Sequence, residues 1–244
     1  MTENNKMLDR CHACDAPDHP YEANYYWQQR LIPDTYQCNI CKHVFRHYKG
    51  DAEEYHRERY RAKGEEGHAM YPAEERYMYI DKFLTATKPF LNKEFEVLEI
   101  GSGDGLFATR VKECVKSVVC SDIDTKMTDK CTKLGFEVIN KNVLEIEQRF
   151  DVVIGMDVLE HVVDVQEFKE KMAEIVNKFL ILQVPINRTM VPPNPVFDGH
   201  SHYFSKDSIL SLFEGDFKAL QIYFGNRGSL ARGEEMLCIW EKRK

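Results

Sequence analysis

The sequence predicts an α/β fold with a parallel, doubly wound sheet and a small cysteine-bearing module in front of it. Three observations predict this fold. From about residue 93, apolar segments of strand length alternate with amphipathic segments of helix length, which implies parallel strands joined by right-handed crossovers. The last two apolar segments leave no room for a helix between them, so they form an antiparallel pair. The first 50 residues carry two Cys-x-x-Cys pairs in place of this alternation.

Composition sets the limits of the prediction. The chain has 244 residues, of which 43% are hydrophobic and 30% charged, and its net charge is −7. This length fits one α/β domain plus a small appendage, with enough apolar residues to bury a core. The acidic balance argues against a mainly electrostatic nucleic-acid binder. Neither a membrane-spanning run of about 18 apolar residues nor a secretory signal is apparent, so we expect a protein of the reducing cytoplasm.

Four of the eight cysteines form the two pairs of the N-terminal module: Cys11, Cys14, Cys38 and Cys41. In a reducing compartment such pairs bind a metal more often than they form disulfides. Two pairs complete the tetrahedron of thiolates that Zn²⁺ prefers. Residues 1–50 are therefore predicted to form a structural zinc ribbon, with two disulfides or unpaired thiols as the alternative. The other four cysteines are expected to be small core residues.

Residues 51–92 are charged and rich in tyrosine, unlike either neighbour. Pro72 followed by acidic residues predicts the start of a helix, since proline suits the first turn and acids suit the positive end of the dipole. One interpretation is a helical connector whose tyrosines pack on the next domain. The other is a lid over a substrate pocket.

Residues 93–244 are predicted to form the sheet domain. Strands are expected at 95–100, 118–120, 136–139, 150–156 and 179–184, the last stopped by Pro185, and the antiparallel tail strands at 217–224 and 235–240. Helices are expected at 106–114, at 125–134 and around Val165, Phe168, Met172 and Ile175, whose spacing marks one helix face.

The first strand of this domain ends in a glycine-rich turn. Ligands of open α/β sheets bind at the carboxyl ends of the strands, and Gly101, Gly103 and Gly105 let the backbone approach a ligand closely. A dinucleotide fingerprint would require glycine at position 106, which is Leu106. Glu99 would repel a pyrophosphate and instead suits a cationic ligand that lacks phosphate.

The ends of the following strands carry further polar groups. Asp122 lies about twenty residues after Gly101, the interval at which an acid accepts hydrogen bonds from ribose hydroxyls. Asn142 and Val143 follow the third strand, where an amide and backbone groups are placed to read an adenine edge. Met156 ends the fourth strand.

These residues, in this order, resemble the class I S-adenosylmethionine-dependent methyltransferases over roughly residues 70–243. The motifs that carry the resemblance are VLEIGSGDG (97–105), VVCSDID (118–124), FDVVIGMDVLEHV (150–162), LILQVP (180–185) and HSHYFSKDSILSLF (200–213). The resemblance implies a seven-stranded, Rossmann-like, doubly wound sheet ordered 3-2-1-4-5-7-6, in which the tail hairpin supplies the antiparallel strand. It also implies S-adenosylmethionine as cofactor.

Carried over by position, the resemblance implies a cofactor site. Glycines and a serine of the turn would line the methionine moiety, Asp122 would hold the ribose, and Asn142 with Val143 would contact adenine, although many relatives have an acid where this chain has Asn142. Glu99 would act on the ammonium group through the loop or a water molecule. The predicted cofactor-binding residues are Glu99, Gly101, Ser102, Gly103, Gly105, Asp122, Ile123, Asn142, Val143 and Met156.

The cysteine pairs and the tyrosine-rich connector together resemble methyltransferases of sugar and surface-polysaccharide biosynthesis clusters. That resemblance implies a small-molecule acceptor, a hydroxyl of a sugar or sugar-linked metabolite. Methyl transfer is an in-line displacement, and a hydroxyl nucleophile benefits from a histidine base. The predicted catalytic residues are His161, His200 and His202; the alternatives are that His161 only packs against its loop, or that His200 and His202 bind a metal with Asp198.

Two other functions are alternatives to this one. An RNA base methyltransferase would use the ribbon to bind RNA, but residues 1–50 contain six basic and six acidic residues, and a neutral module is a poor phosphate binder. The ribbon therefore argues against nucleic acid as a partner without removing that alternative. A non-catalytic, methyltransferase-like binding protein is the other hypothesis, and the intact glycine turn with Asp122 argues against it.

Overall fold

The computed structural model describes residues 10–17, 21–23, 26–27, 30–31, 35–46, 73–186, 200–226 and 234–244. The strands are β1 (Tyr21–Ala23), β2 (Tyr26–Trp27), β3 (Arg30–Leu31), β4 (Thr35–Cys38), β5 (Val44–Arg46), β6 (Glu96–Ile100), β7 (Ser117–Ser121), β8 (Glu137–Ile139), β9 (Phe150–Met156), β10 (Val176–Ile186), β11 (His202–Tyr203), β12 (Phe217–Asn226) and β13 (Glu234–Lys242). The helices are α1 (Ala73–Thr87), α2 (Leu106–Val111), α3 (Thr125–Lys133), α4 (Val165–Ile175) and α5 (Lys206–Phe213). Within these ranges, no helix is long and apolar enough to cross a bilayer.

The large sheet has seven strands in the order β12-β13-β10-β9-β6-β7-β8. Its central pairs are parallel, whereas β13 runs antiparallel to both β10 and β12. Counted within the domain, this is the order 3-2-1-4-5-7-6, so the predicted α/β fold and strand order are confirmed. The order reverses beside β6, and the crevice between the carboxyl ends of β6 and β9 is where such sheets bind ligands.

Helices cover both faces of this sheet. Leu98 of β6 belongs to an apolar cluster beneath α4 and α5, while its neighbour Val97 belongs to a second cluster beneath α1 and α2. Successive strand residues point to opposite faces, so one apolar strand supplies both layers of the core. Three of the four scattered cysteines are buried as predicted, and Cys114 is half-buried.

Local chemistry sets the helix starts. The side chain of Asp124 accepts a hydrogen bond from Lys126 N at the start of α3, and Asp164 caps α4 in the same way. Ser205 and Ser208 form a reciprocal capping box at α5. The helix expected at 106–114 is shorter, because the chain tightens into a 3₁₀ turn after Val111.

The prediction that Pro185 stops its strand is wrong. β10 runs on to Ile186 and pairs there with β13. The last residue pair between β10 and β9 is Gln183 with Met156, so Pro185 lies beyond the parallel ladder and its missing N–H leaves no bond to β9 unmade.

The N-terminal sheet takes one strand from the sheet domain. Its order is β1-β4-β5-β11, and β11 comes from the segment that follows β10. Ser205 Oγ donates to Cys41 O at 2.6 Å, and Gln166 Nε2 donates to His12 O at 2.5 Å. The two predicted modules are therefore joined by a shared sheet. The connector helix begins at Ala73; the rest of the predicted connector and lid, up to residue 72, lies outside the described residues.

Candidate active site

The loop after β6 turns at glycines that adopt left-handed backbone angles. Gly101 and Gly103 have φ of +63° and +54°, a region that favours glycine. A Cβ at Gly101 would lie 2.5 Å from Val158 Cγ2, whereas a Cβ at Gly103 would meet no atom within 4 Å. The N–H of the buried Ser102 donates to Ser121 O at 3.0 Å. The loop is thus fixed against β7, with open space above Gly103.

Asp122 links this loop to the end of β7. Its Oδ2 accepts from Gly103 N, and its Oδ1 accepts from Asp124 N, both at 2.9 Å. Asn140 Nδ2 also donates to the backbone oxygen of Asp122 at 2.8 Å. These hydrogen bonds hold the carboxylate of Asp122 in place between the glycine loop and the start of α3.

Glu99 lies beneath the loop on the α2 side of the sheet. It is buried, and its Oε2 has no hydrogen-bond partner among the described residues. Burial raises its pKa well above the ordinary range, and the nearby Cys131 thiol and the Asp104 and Asp122 carboxylates raise it further. A positive charge placed beside Glu99 would lower this pKa and stabilise the ionised carboxylate.

The predicted adenine contacts lie along the same edge. Asn142 Oδ1 accepts from Leu144 N at 3.0 Å and caps a short 3₁₀ turn. Val143 and Met156 are half-buried against the core, and Ile123 is 36% exposed. Their contact with the cofactor stays a prediction.

Helix α1 is attached to the glycine loop. Arg76 Nη2 donates to both carboxylate oxygens of Asp104, at 2.7 Å each, and both side chains are mostly buried. Asp104 precedes Gly105, which is the N-cap residue of α2 and has a φ of +74°. Charge-assisted hydrogen bonds of this kind are strong. The motifs do not predict the pair, because the partners come from separate elements and leave no spacing signal.

Two of the predicted catalytic histidines contact each other, although one follows β9 in the chain and the other follows β10. The rings of His161 and His200 have centroids 4.8 Å apart and are nearly perpendicular. His200 Nε2 lies 4.0 Å from Glu160 Oε1. The sequence did not single out Glu160, yet it is buried, and its Oε2 has no partner among the described residues. Burial raises its pKa to about 8.

The third histidine lies elsewhere. His202 is fully buried in β11, where its Nδ1 is 3.1 Å from His43 Nε2 and its Nε2 is 3.1 Å from Val163 O. Burial, together with the nearby His43 and His12, lowers its pKa well below the ordinary value. With both ring nitrogens engaged between ribbon and core, this position favours a structural role over contact with a substrate.

A polar network that the motifs do not predict surrounds Gln183 in β10. Gln183 is 1% exposed, and its Oε1 accepts from the Tyr79 hydroxyl. Its Nε2 donates to Asp157 Oδ1 at 3.1 Å and to Glu235 Oε2 at 3.3 Å. Asp157 has φ of +56°, and its N–H donates to Gln183 O. In the sequence, Gln183 is marked only as the one polar residue within LILQV. Its partners are too distant in the chain for a spacing pattern to identify them.

The four N-terminal cysteines converge on one point. Cys11 Sγ lies 3.6 Å from Cys41 Sγ, and Cys14 Sγ lies 3.9 Å from Cys38 Sγ. All four sulfurs lie within 4.8 Å of one another. Zn–S bonds of about 2.3 Å in a tetrahedron place sulfurs about 3.8 Å apart, so the cluster has the size and donor chemistry of a zinc site.

A family profile described as a methyltransferase domain matches residues 72–216, more than half of the chain. The chain belongs to this methyltransferase family. The matched range contains α1, the glycine loop, Asp122 and the histidine pair. It does not include the cysteine cluster or the tail hairpin.

Curated relatives of this methyltransferase are named ubiquinone biosynthesis O-methyltransferase. The Rickettsia bellii protein is 32% identical over 105 residues, which are 39% of this chain and 44% of that protein. The Rhizobium johnstonii protein is 35% identical over 104 residues, which are 38% of this chain and 42% of that protein. The chain thus spans less than half of the length of these curated relatives.

Solved structures share the fold at low sequence identity. The N-methyltransferase NodS from Bradyrhizobium japonicum, in complex with S-adenosylhomocysteine, aligns with a TM-score of 0.62 and 12% identity over 80% of this chain and all of that chain. Magnesium protoporphyrin IX methyltransferase from Synechocystis, with bound S-adenosylhomocysteine, aligns with a TM-score of 0.55 and 16% identity over 69% of this chain and 84% of that one. The sheet is that of the class I methyltransferases.

Proposed function

We propose that this protein transfers a methyl group from S-adenosylmethionine to a hydroxyl of a small molecule, a sugar or sugar-linked metabolite, and releases S-adenosylhomocysteine. The observation that carries the proposal is the pocket at the β6 edge. It combines open space above Gly103, the carboxylate of Asp122 and the buried Oε2 of Glu99, which has no hydrogen-bond partner in the part of the chain that the structure describes. A phosphate-bearing cofactor would meet the Asp122 carboxylate there and would bring no positive charge to ionise Glu99.

The residues present fit this cofactor. Asp122 would accept hydrogen bonds from the ribose hydroxyls, since its carboxylate lies at the end of β7 and is fixed beside Gly103. Glu99 would provide negative charge towards the ammonium or the sulfonium group, and a cation there would lower its raised pKa. Ser102, Gly101, Gly103 and Gly105 would form the turn around the methionine moiety. Ile123, Asn142, Val143 and Met156 would bound the adenine.

The acceptor would enter at the adjacent carboxyl ends of β9 and β10. When bound, S-adenosylmethionine supplies an already activated methyl group, so the protein's task is alignment and exclusion of water. His161 and His200 are the candidates for holding the proton that leaves the hydroxyl. Glu160, 4.0 Å from His200, would orient that ring.

A phenol of a quinone precursor is the second candidate acceptor, because the curated relatives carry the ubiquinone O-methyltransferase name. The sugar hydroxyl is favoured by the cysteine pairs, which lie outside the region matched by the family profile, and by the tyrosine-rich connector, of which residues 51–71 lie outside it. RNA is the third, and the neutral charge of residues 1–50 speaks against it.

We also propose that the cysteine cluster holds a structural Zn²⁺. Cys11, Cys14, Cys38 and Cys41 supply four sulfurs at tetrahedral separations, which is a closed site without an open position for a substrate.

Turnover on a panel of acceptors tests the function, with release of S-adenosylhomocysteine as the readout. The panel consists of nucleotide-linked sugars, surface glycans, catechol-type phenols and RNA. Methylation of a sugar hydroxyl is the expected result. Turnover confined to phenols would favour the second candidate, while RNA methylation that falls steeply with added salt would favour the third.

Asp122→Ala tests the cofactor site. Loss of hydrogen bonds from a charged group costs about 1–3 kcal/mol, so calorimetric titration should show markedly weaker S-adenosylmethionine binding. Asp129→Ala, an exposed carboxylate on α3, is the matched control and should bind like the unaltered protein. Equal affinity in the two variants would mean that the ribose lies elsewhere.

A further inference from the structure

The network around Gln183 lies next to the proposed cofactor site and shares no residue with it. In the register of the sheet, Gln183 pairs directly with Met156, a predicted cofactor contact. Alternation along β10 places Gln183 on the face of Ile181, which is the face covered by α1. The network therefore lies beside the point where the methyl group would be presented, on the acceptor side.

Helix α1 reaches both sites. Arg76 binds Asp104 in the glycine loop, and Tyr79, almost one helical turn later, donates to Gln183. The same helix thus fixes one polar group at the cofactor loop and one at the network. This connection is independent of the strand register that brings Gln183 and Met156 together.

The burial of Gln183 has a price in desolvation that only full hydrogen bonding removes. Its amide meets this condition with one acceptor and two donor contacts, to Tyr79, Asp157 and Glu235. These three partners are half-buried and come from α1, the loop that follows β9, and β13. Gln183 therefore sets the positions of polar groups that reach the edge of the sheet.

The chemistry of those groups selects for hydrogen-bond donors. Carboxylate oxygens such as those of Asp157 and Glu235 accept hydrogen bonds, and the Tyr79 oxygen, whose hydrogen is donated to Gln183, can also accept. Neighbouring hydroxyls of a polyol satisfy such a set, whereas a phosphate or carboxylate placed there would be repelled by two like charges.

We propose that Gln183 is a positioning residue for acceptor recognition, which holds Asp157, Glu235 and Tyr79 to bind the hydroxyls adjacent to the one that is methylated. This inference rests on the proposed function, since it requires a hydroxylated small-molecule acceptor. It assigns specificity to four residues outside the glycine loop and outside the histidine pair.

The experiment compares Glu235→Gln with Glu241→Gln, an exposed glutamate of the same strand at its other end. With the sugar acceptor that the unaltered protein methylates fastest, Glu235→Gln should raise KM about tenfold or more, the effect of losing hydrogen bonds to a charged group. kcat should change much less, and the Kd of S-adenosylmethionine should be unaltered. Glu241→Gln should match the unaltered protein in all three constants.

A deoxy acceptor that lacks the neighbouring hydroxyl separates recognition from a structural effect. The unaltered protein and Glu235→Gln should methylate it with similar KM, because the lost contact is then absent in both. Gln183→Met, which keeps the side-chain volume, should raise KM for the full acceptor and discriminate less against the deoxy one.

The outcomes distinguish the two proposals. If the unaltered protein methylates no hydroxyl acceptor, the proposed function fails and this inference with it. If it does so and Glu235→Gln behaves like Glu241→Gln, or if Glu235→Gln weakens kcat and cofactor binding as much as acceptor binding, only this inference is overturned.

Discussion

The ribbon and the seven-stranded sheet are stabilised by different means. Among the described residues, the buried cluster of the ribbon consists of three of its cysteines together with Ala13 and Ala16, against which Cys14 packs. The sheet has two apolar clusters, one on each face, that include large side chains such as Phe168, Phe107 and Trp240. Because a module this small buries little apolar surface, we expect its fold to depend on the Zn²⁺ that we propose its thiols hold. The sheet needs no such group.

The largest expected effect is that of Cys38→Ser on the ribbon. Apparent binding free energies of structural zinc are about 10–16 kcal/mol, and this energy is also folding energy. We expect the variant to lose one equivalent of zinc, measured by atomic absorption, while the sheet keeps its main thermal transition. Cys114→Ser, a half-buried cysteine of the sheet domain, is the control and should retain the metal. Full metal content in Cys38→Ser would break the comparison.

Phe168→Ala should destabilise the sheet and leave the metal content of the cysteine module unchanged. Phe168 is fully buried in the cluster beneath α4, and truncation of a buried phenylalanine costs about 3–5 kcal/mol. Denaturant unfolding should show this loss while the zinc content stays at one equivalent. Met78→Ala, at a position 61% exposed on α1, should change the free energy of unfolding little. Loss of zinc in Phe168→Ala would show that the two parts fold as one unit.

Glu160→Gln should reveal a pH dependence that belongs to the sheet. Because burial raises the pKa of Glu160 from about 4.5 to about 8, the folded chain keeps a proton between these pH values that the unfolded chain has released. The free energy of unfolding must therefore fall as pH rises from 5 to 8, by about 1.4 kcal/mol for each unit of pKa difference.

The neutral amide has no proton to lose, so the part of this decline that Glu160 contributes should be absent from Glu160→Gln, measured as thermal unfolding across that pH range, while the part due to Glu99 remains. Glu170→Gln, an exposed glutamate of α4, is the matched control and should follow the unaltered protein. Parallel curves for Glu160→Gln and the unaltered protein would show that burial does not hold the carboxyl neutral.

The smallest effect is expected where the two parts meet. Ser205→Ala removes both a helix cap, worth about 1 kcal/mol, and the hydrogen bond to Cys41 O. Ser208→Ala removes the other half of the capping box, in which Ser208 Oγ accepts from Ser205 N, and leaves the hydrogen bond to Cys41 O in place. Both should lower the melting temperature slightly, but only Ser205→Ala should speed the release of zinc to a chelator. Equal release rates would mean that the contact does not support the ribbon.

The sequence carries enough information for the parts of this molecule that depend on local spacing. The alternation of strands and helices and the glycine turn follow from residues close together in the chain, whereas the strand order was implied by the family resemblance. The clustering of the cysteines follows from two short pairs, since each pair already turns its thiols to one side.

Features that depend on distant partners could not be predicted in this way. Gln183 gathers side chains from α1, the end of β9 and β13, and no spacing rule connects those segments. His202 looks like a loop histidine in sequence, but β11 pairs with β5 and buries it. Pro185 reads as a strand end, yet the parallel ladder has already finished at Gln183.

The strand β11 also limits how this architecture can be recombined. A graft of the cysteine module onto another methyltransferase would carry β5 with a bare edge, and the donor would be left with the ring of His202 uncovered. An exchange that preserves both hydrogen-bonding and burial has to move residues 202–203 together with residues 44–46. The sheet of the cysteine module is therefore built from two separate segments of the sequence.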